Sequence, residues 1–299
     1  MPLPLQHKYF DPVMFSRIAN LEMVARLVVE GMISGMHKSP HQGFSVEFAE
    51  YRQYMPGDDL RHIDWKVFGK KDRLYLRQYQ EETNLKAYIL LDCSASMKYT
   101  SGTLTKFEYG AYLTAALSYL MIRQQDAVGV VAFDNEIRKY LPPRSSPQHL
   151  KDILVTLEKL EPSARTDTAN TFHELAERFR RRGLIIVISD LYDDPEAVLQ
   201  GLAHFRHKRH EVILFHLMDP TETEFTFDDL IEFEDLETGE KMQVQARMAR
   251  RDVVKAVESF MEDYRRRCAD HNIDYVRVIT RQPVEQALLK YLGKRAKLY

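Results

Sequence analysis

"AYILLDCSASMKYT", residues 87–100, decides how the chain is read. An apolar run too short for a helix ends abruptly in an acid, Asp92, followed at alternate positions by Ser94 and Ser96. Such a run, bounded by polar loop residues, reads as a strand buried on both faces. In an extended segment alternate side chains point the same way, so Asp92, Ser94 and Ser96 can converge above the strand's carboxyl end. That end is where open α/β sheets bind ligands, close to the point at which strand order reverses.

Downstream, strand-like and helix-like segments alternate. Thr105-Lys-Phe-Glu108 has the spacing of a capping box and opens a helix through Leu113, Leu117 and Leu120. "AVGVVAF" (127–133) reads as the next strand, with "IRKYL" (137–141) pairing with it as a hairpin. Ser146-Pro147 begins another helix, and a further helix is expected over about 169–182. "LIIVIS" (184–189), "EVILFHL" (211–217) and "DYVRVI" (274–279) read as strands. Helices are expected from Pro195, over about 248–270 and from about Pro283. This rhythm predicts an α/β fold: a doubly wound, mostly parallel sheet with helices on both faces. One excursion interrupts it. Asp219 to Val244 is acidic, with Lys241 its single basic residue, and reads as a hairpin turning at Thr238-Gly239. The expected organisation is an N-terminal extension over 1–84 and a main domain over 85–299, with the acidic insertion at about 219–246. The extension combines a helix at about 16–32 with short strand-like pieces, one of them near 74–79.

Bulk properties narrow the function. A chain of 299 residues with 44% hydrophobic and 29% charged content is that of an ordinary globular protein. A formal net charge of -2 gives no electrostatic case for nucleic acid. The two cysteines, Cys93 and Cys268, fall in a predicted loop and a predicted helix, which suggests a reducing compartment and no disulfide framework. No segment reads as a signal peptide or a bilayer span, so a cytoplasmic protein without direct membrane insertion is expected. The basic clusters "RFRRRG", "HFRHKRH" and "RRR" close helices, where cations complement the helix dipole.

Asp-x-Ser-x-Ser alone also serves as ordinary loop capping. Two other segments supply partners for it: "SARTDTAN", with Thr166 and Thr168 before a helix, and "VISDLYDDP", which places Asp190 directly after a strand. Hard oxygen donors with few full charges suit Mg²⁺, with Mn²⁺ or Ca²⁺ as alternatives.

The constellation resembles the metal-ion-dependent adhesion site of von Willebrand factor A domains. Upstream, "EYRQYMPGDDLRHIDWK" followed by "YLRQYQEE" resembles the bacterial "domain of unknown function 58" family, whose members contain such a domain. The resemblance implies that Ser94, Ser96 and Thr166 offer hydroxyls to the cation, and that Asp92 and Asp190 act directly or through water. It also implies a position left open for an acidic side chain of a partner protein, the expected partner being a MoxR-type AAA+ ATPase. Arg165 stands where many relatives have a small residue, which leaves Thr166 and Thr168 both open as the ligand. In the upstream signature, Asp58 and Asp59 sit in a turn and Asp64 flanks Trp65, the only tryptophan. These four read either as a plug against the main domain or as a partner-binding surface.

An enzyme is the competing reading, because a strand-end Asp92 can accept a phosphoryl group. Phosphatases of that kind place a second acid two residues later, where this chain has Ser94. Motifs for a serine hydrolase, a P-loop or a dinucleotide fold are absent from the sequence. A non-enzymatic, metal-dependent binding adaptor is therefore the first expectation, and a phosphatase-like hydrolase using Asp92 the second.

Overall fold

The computed structural model describes residues 21–37, 51–53, 75–77, 86–162, 168–236 and 239–295. These fall into two compact units, one drawn from Met1–Ile33 and Leu85–Tyr299, the other from Ser34–Asn84. In the smaller unit, β1 (Tyr51–Gln53) and β2 (Tyr75–Arg77) pair antiparallel. The signature residues Asp58, Asp59, Asp64 and Trp65 lie outside the described residues.

The larger unit begins with α1 (Leu21–His37), which buries Leu21, Val24, Ala25, Val28 and Val29 along one stripe at helical spacing. The sheet is built from β3 (Lys86–Asp92), β4 (Ala127–Phe133), β5 (Ile137–Arg144), β6 (Leu184–Ser189), β7 (Glu211–Met218) and β10 (Asp274–Ile279). Its order is β10-β7-β6-β3-β4-β5, with every pairing parallel except β4–β5. Counted along this unit the order is 3-2-1-4-5-6, so the reversal falls between β3 and β6. β3 is flanked on both sides by parallel neighbours and buried from Ala87 to Asp92, which explains its unbroken apolar run.

Helices cover both faces. On one lie α4 (Thr168–Arg178), α5 (Pro195–His207) and α7 (Ala246–Asp270), contributing Phe172, Leu175, Leu199, Phe205, Tyr264 and Cys268 to a core with Leu90, Val187 and Leu214. Tyr88 stacks on Phe179 there, with ring centroids 3.9 Å apart. On the other face lies α2 (Lys106–Arg123), flanked by α3 (Pro147–Lys159) and α8 (Val284–Arg295). Gly110 lets α2 settle close to the sheet, because a Cβ there would stand 2.9 Å from Leu91 Cδ1 and 3.3 Å from Ile188 Cγ2.

The helix starts follow their sequence signals. Thr105 and Glu108 form the capping box reciprocally. Ser146 Oγ accepts from His149 N–H with Pro147 in the first turn, and Asp194 caps α5 ahead of Pro195. α4 ends at Arg178, short of the expected 182, and residues 179–183 instead lead into β6. The acidic excursion contains the expected hairpin, β8 (Leu230–Glu234) against β9 (Lys241–Gln245), with Gly239 at φ +73°. It also contains an element the sequence reading lacked, the short helix α6 (Pro220–Glu224). Both cysteines are buried thiols. Among the described residues no helix is long and apolar enough to cross a membrane.

Gly183 makes the tightest approach, since a Cβ there would lie 2.3 Å from the Lys86 carbonyl oxygen. A backbone carbonyl in a sheet cannot step aside as a side chain can. Gly183→Ala is expected to cost about 1–3 kcal/mol in urea denaturation, whereas Gly102→Ala, with open space around it, should leave the midpoint unchanged.

Candidate functional site: the strand ends at the sheet reversal

Four parallel strands each deliver an aspartate to the same edge of the sheet: Asp92 ends β3, and Asp134, Asp190 and Asp219 directly follow β4, β6 and β7. All four are essentially buried. The two at the reversal, Asp92 and Asp190, form the centre of the site.

Asp92 is held at both oxygens. Ser94 N–H donates to Oδ1 at 2.8 Å, and Ser189 Oγ–H donates to Oδ2 at 2.5 Å. Ser189 Oγ in turn accepts from Leu191 N–H at 2.9 Å, so the end of β6 is clamped to the end of β3. Burial, reinforced by the neighbouring Asp190 charge, pushes the Asp92 carboxyl up to about 7 against the opposing hydrogen bonds from Ser189 and Ser94.

Cys93 N–H continues the ladder to the Phe133 carbonyl at 2.7 Å. Burial drives its thiol well above its usual range, which leaves no thiolate for chemistry. A single 3₁₀ turn (Ala95–Lys98) follows, anchored by buried Ala95 and Met97. It brings Ser94 Oγ and Ser96 Oγ to 3.0 Å. Ser94 is buried, while Ser96 is partly exposed at the mouth.

Asp190 meets a residue that the sequence reading passed over. Lys106, the first residue of α2, is 1% exposed and places Nζ 2.7 Å from Asp190 Oδ2 and 2.7 Å from Glu222 Oε1. The Asp190 contact has the distance of an ion pair without the angle of a directed hydrogen bond, and Oδ2 has no other donor. The Tyr192 and Tyr99 rings stand 4.7 and 5.7 Å from the ammonium. Burial would lower the Lys106 pKa, but Asp190 and Glu222 outweigh it and raise it, so the residue stays charged. At sequence level Lys106 was one interior residue of a capping box, and nothing in that pattern distinguishes a solvated lysine from a buried one.

Glu222 arrives on α6, which is tied down as a unit. Asp219 accepts from Ser101 N–H and Oγ–H and from Thr221 N–H and Oγ–H at 2.5–2.9 Å. Tyr99 Oη and Thr221 Oγ1 are 2.8 Å apart. The loop after β3 and the segment after β7 are thereby closed over the lysine.

Of the sequence-nominated residues, the structure brings Asp92, Ser94, Ser96 and Asp190 to one edge. Thr166 lies outside the described residues; Thr168 opens α4, and its side chain is likewise outside them. Among the described residues no group of three or more His, Cys, Asp or Glu is placed to hold a metal.

The residues match, over 50–263, the family described as "Protein of unknown function DUF58". The chain belongs to this family. A relative from Mycobacterium tuberculosis, "Uncharacterized protein Rv1480", is 26% identical over 283 residues, covering 93% of this chain and 85% of its own. "Uncharacterized protein YeaD" of Bacillus subtilis is 24% identical over 114 residues, covering 38% of this chain and 26% of its own. The crystal structure of BatB from Bacteroides thetaiotaomicron is similar in fold, with TM-score 0.51 at 18% identity over 71% of this chain and 99% of that one. The six-stranded, mostly parallel sheet with helices on both faces is the doubly wound arrangement expected from the sequence.

Behind Asp190 sits His216. Its Nε2 is 3.0 Å from the Asp190 carbonyl and its Nδ1 is 2.8 Å from Tyr275 Oη. A carbonyl only accepts, so Nε2 carries the proton and Nδ1 accepts from the tyrosine. Burial lowers the His216 pKa to about 4. The folded value lies below the unfolded one of 6.5, so the contribution to stability is complete above pH 6.5 and is lost as pH falls toward 4. Wild type should lose up to about 3 kcal/mol more than His216→Gln across that window in urea titrations.

Proposed function

We propose that this protein is a non-enzymatic binding adaptor whose strand-end site holds a divalent cation presented to an acidic side chain of a partner protein. The observation that carries this reading is the placement of Asp92, Ser94, Ser96 and Asp190 at the sheet reversal, where this architecture binds ligands.

The donor set fits a small hard cation. Two hydroxyl oxygens stand 3.0 Å apart beside a buried carboxylate, and Asp190, paired through Oδ2 with Lys106, stands at the neighbouring strand end. Asp92, Ser94 and Ser96 would hold the ion, with Asp190 close by and Thr166 or Thr168 the sequence-level candidate for a further hydroxyl. The ion would supply a point of concentrated positive charge on which a partner carboxylate completes the coordination. By family resemblance the partner is a MoxR-type AAA+ ATPase, with this chain acting in a chaperone-like or maturation system.

The phosphatase reading is less well supported. Phosphatases with a strand-end aspartate nucleophile place a second acid two residues later, and here that residue is Ser94.

Calorimetric titration of Mg²⁺ or Mn²⁺ into wild type and Asp92→Ala tests the site. Binding is expected in the first and its loss in the second, and equal heats in both would refute the assignment. A pull-down should recover the partner in Mg²⁺ and release it in chelator. Turnover of an aryl phosphate that disappears in Asp92→Asn would instead favour the hydrolase.

A further inference from the structure

Lys106 stands where a lysine is intrinsically out of place. It is the first residue of α2, and the N-terminal end of a helix carries the positive end of the dipole, which disfavours a cation. It is also almost wholly removed from water, and an ammonium is buried only when its charge is met. Here two carboxylates meet it from segments 84 and 116 residues further along the chain, each at 2.7 Å, with two tyrosine rings close by. Nothing in the helix itself requires a charge at this position. The requirement comes from Asp190 and Glu222.

We infer that Lys106 is the resident cation of the strand-end site: its ammonium meets the charge of Asp190 in place of a divalent ion and holds Glu222 and α6 over the site, so the arrangement stands without metal and divalent binding is kept weak. The inference rests on the strand-end site reading given above and deepens it. A divalent ion entering beside Asp92, Ser94 and Ser96 meets a fixed positive charge already committed to Asp190. It must either share that carboxylate or draw it away, and drawing it away leaves Glu222 as the one of the two carboxylates still paired with Lys106. Cation occupancy and the position of the segment after β7 are thus coupled through one side chain.

The test compares wild type, Lys106→Met and Lys106→Met/Glu222→Gln by thermal unfolding in chelator and in millimolar Mg²⁺, and by Mn²⁺ calorimetry. The double variant removes one of the two carboxylates that the single substitution leaves unpaired, and it carries the test if Lys106→Met does not fold. Wild type should unfold at nearly the same temperature in both solutions. The variants should be destabilised in chelator and regain roughly 5 °C or more in Mg²⁺. Their Mn²⁺ affinity should be higher by about tenfold or more, because one like charge has left the neighbourhood of the ion. Equal Mg²⁺ shifts and equal affinities in wild type and variants would overturn the role of Lys106 while leaving the site itself standing. Adding Asp92→Ala to the Lys106→Met background should abolish the Mg²⁺ response. A response that survives would place the ion elsewhere and overturn the site and this inference together.

Discussion

The edge of the sheet that carries the site is governed by the problem of burying four carboxylates within one layer. Asp92, Asp134, Asp190 and Asp219 cannot all be ionised and unpaired out of water, and the chain answers each differently. Asp134 accepts an ion pair from Arg138 at 2.8 Å within its own hairpin. Asp219 is surrounded by the hydroxyls and amides of Ser101 and Thr221. Asp92 takes a backbone N–H and the Ser189 hydroxyl, and burial beside the Asp190 charge raises its proton affinity. Asp190 alone is met by a buried ammonium. The positions of the loop after β3, the start of α2, the end of β6 and the α6 segment all follow from those four answers.

The buried lysine also explains why the segment after β7 departs from the simple alternation of strand and helix. α6 is only five residues long and has no buried residue of its own, although it lies against α7. Its anchors are polar: the Asp219–Glu222 capping box, Ser101, Tyr99 through Thr221, and Lys106 through Glu222. Polar anchors of this kind are strong when every member is satisfied and fail together when one is removed. The chain beyond α6 then turns into the exposed β8–β9 hairpin before α7 returns to the core at Met261, Tyr264 and Cys268.

The fold was largely legible in the sequence because its signals are local. β3, β6 and β7 are buried on both faces and appear as unbroken apolar runs, and the starts of α2, α3 and α5 carry caps whose residues act within one turn. The strand order, and with it the reversal between β3 and β6, came from the structure alone, since alternation does not fix which neighbours pair. Half of the site was legible for the same local reason: Asp92, Ser94 and Ser96 share one loop, and Asp190 ends an obvious strand. Lys106, Ser189 and Glu222 were not, because each acts across 80 residues or more and its local context has another sufficient reading: a cap interior, the last residue of a strand, an acidic insertion. α6 was missed for a related reason, since a proline and four polar residues held by distant partners carry no hydrophobic period.

Burial at the site also constrains what could engage it. Asp92 and Ser94 are wholly buried and Asp190 is 1% exposed, which leaves Ser96 as the group nearest solvent. A flat partner surface cannot reach such a site; a single projecting side chain can. Lys98, two residues beyond Ser96, is exposed, and Tyr192, 40% exposed, carries the ring that stands 4.7 Å from the buried Lys106 ammonium. The loop bearing Ser94 and Ser96 is backed by Met97 in the core and clamped through Asp92 to Ser189, so its two hydroxyls are held in place at the strand end rather than free to swing.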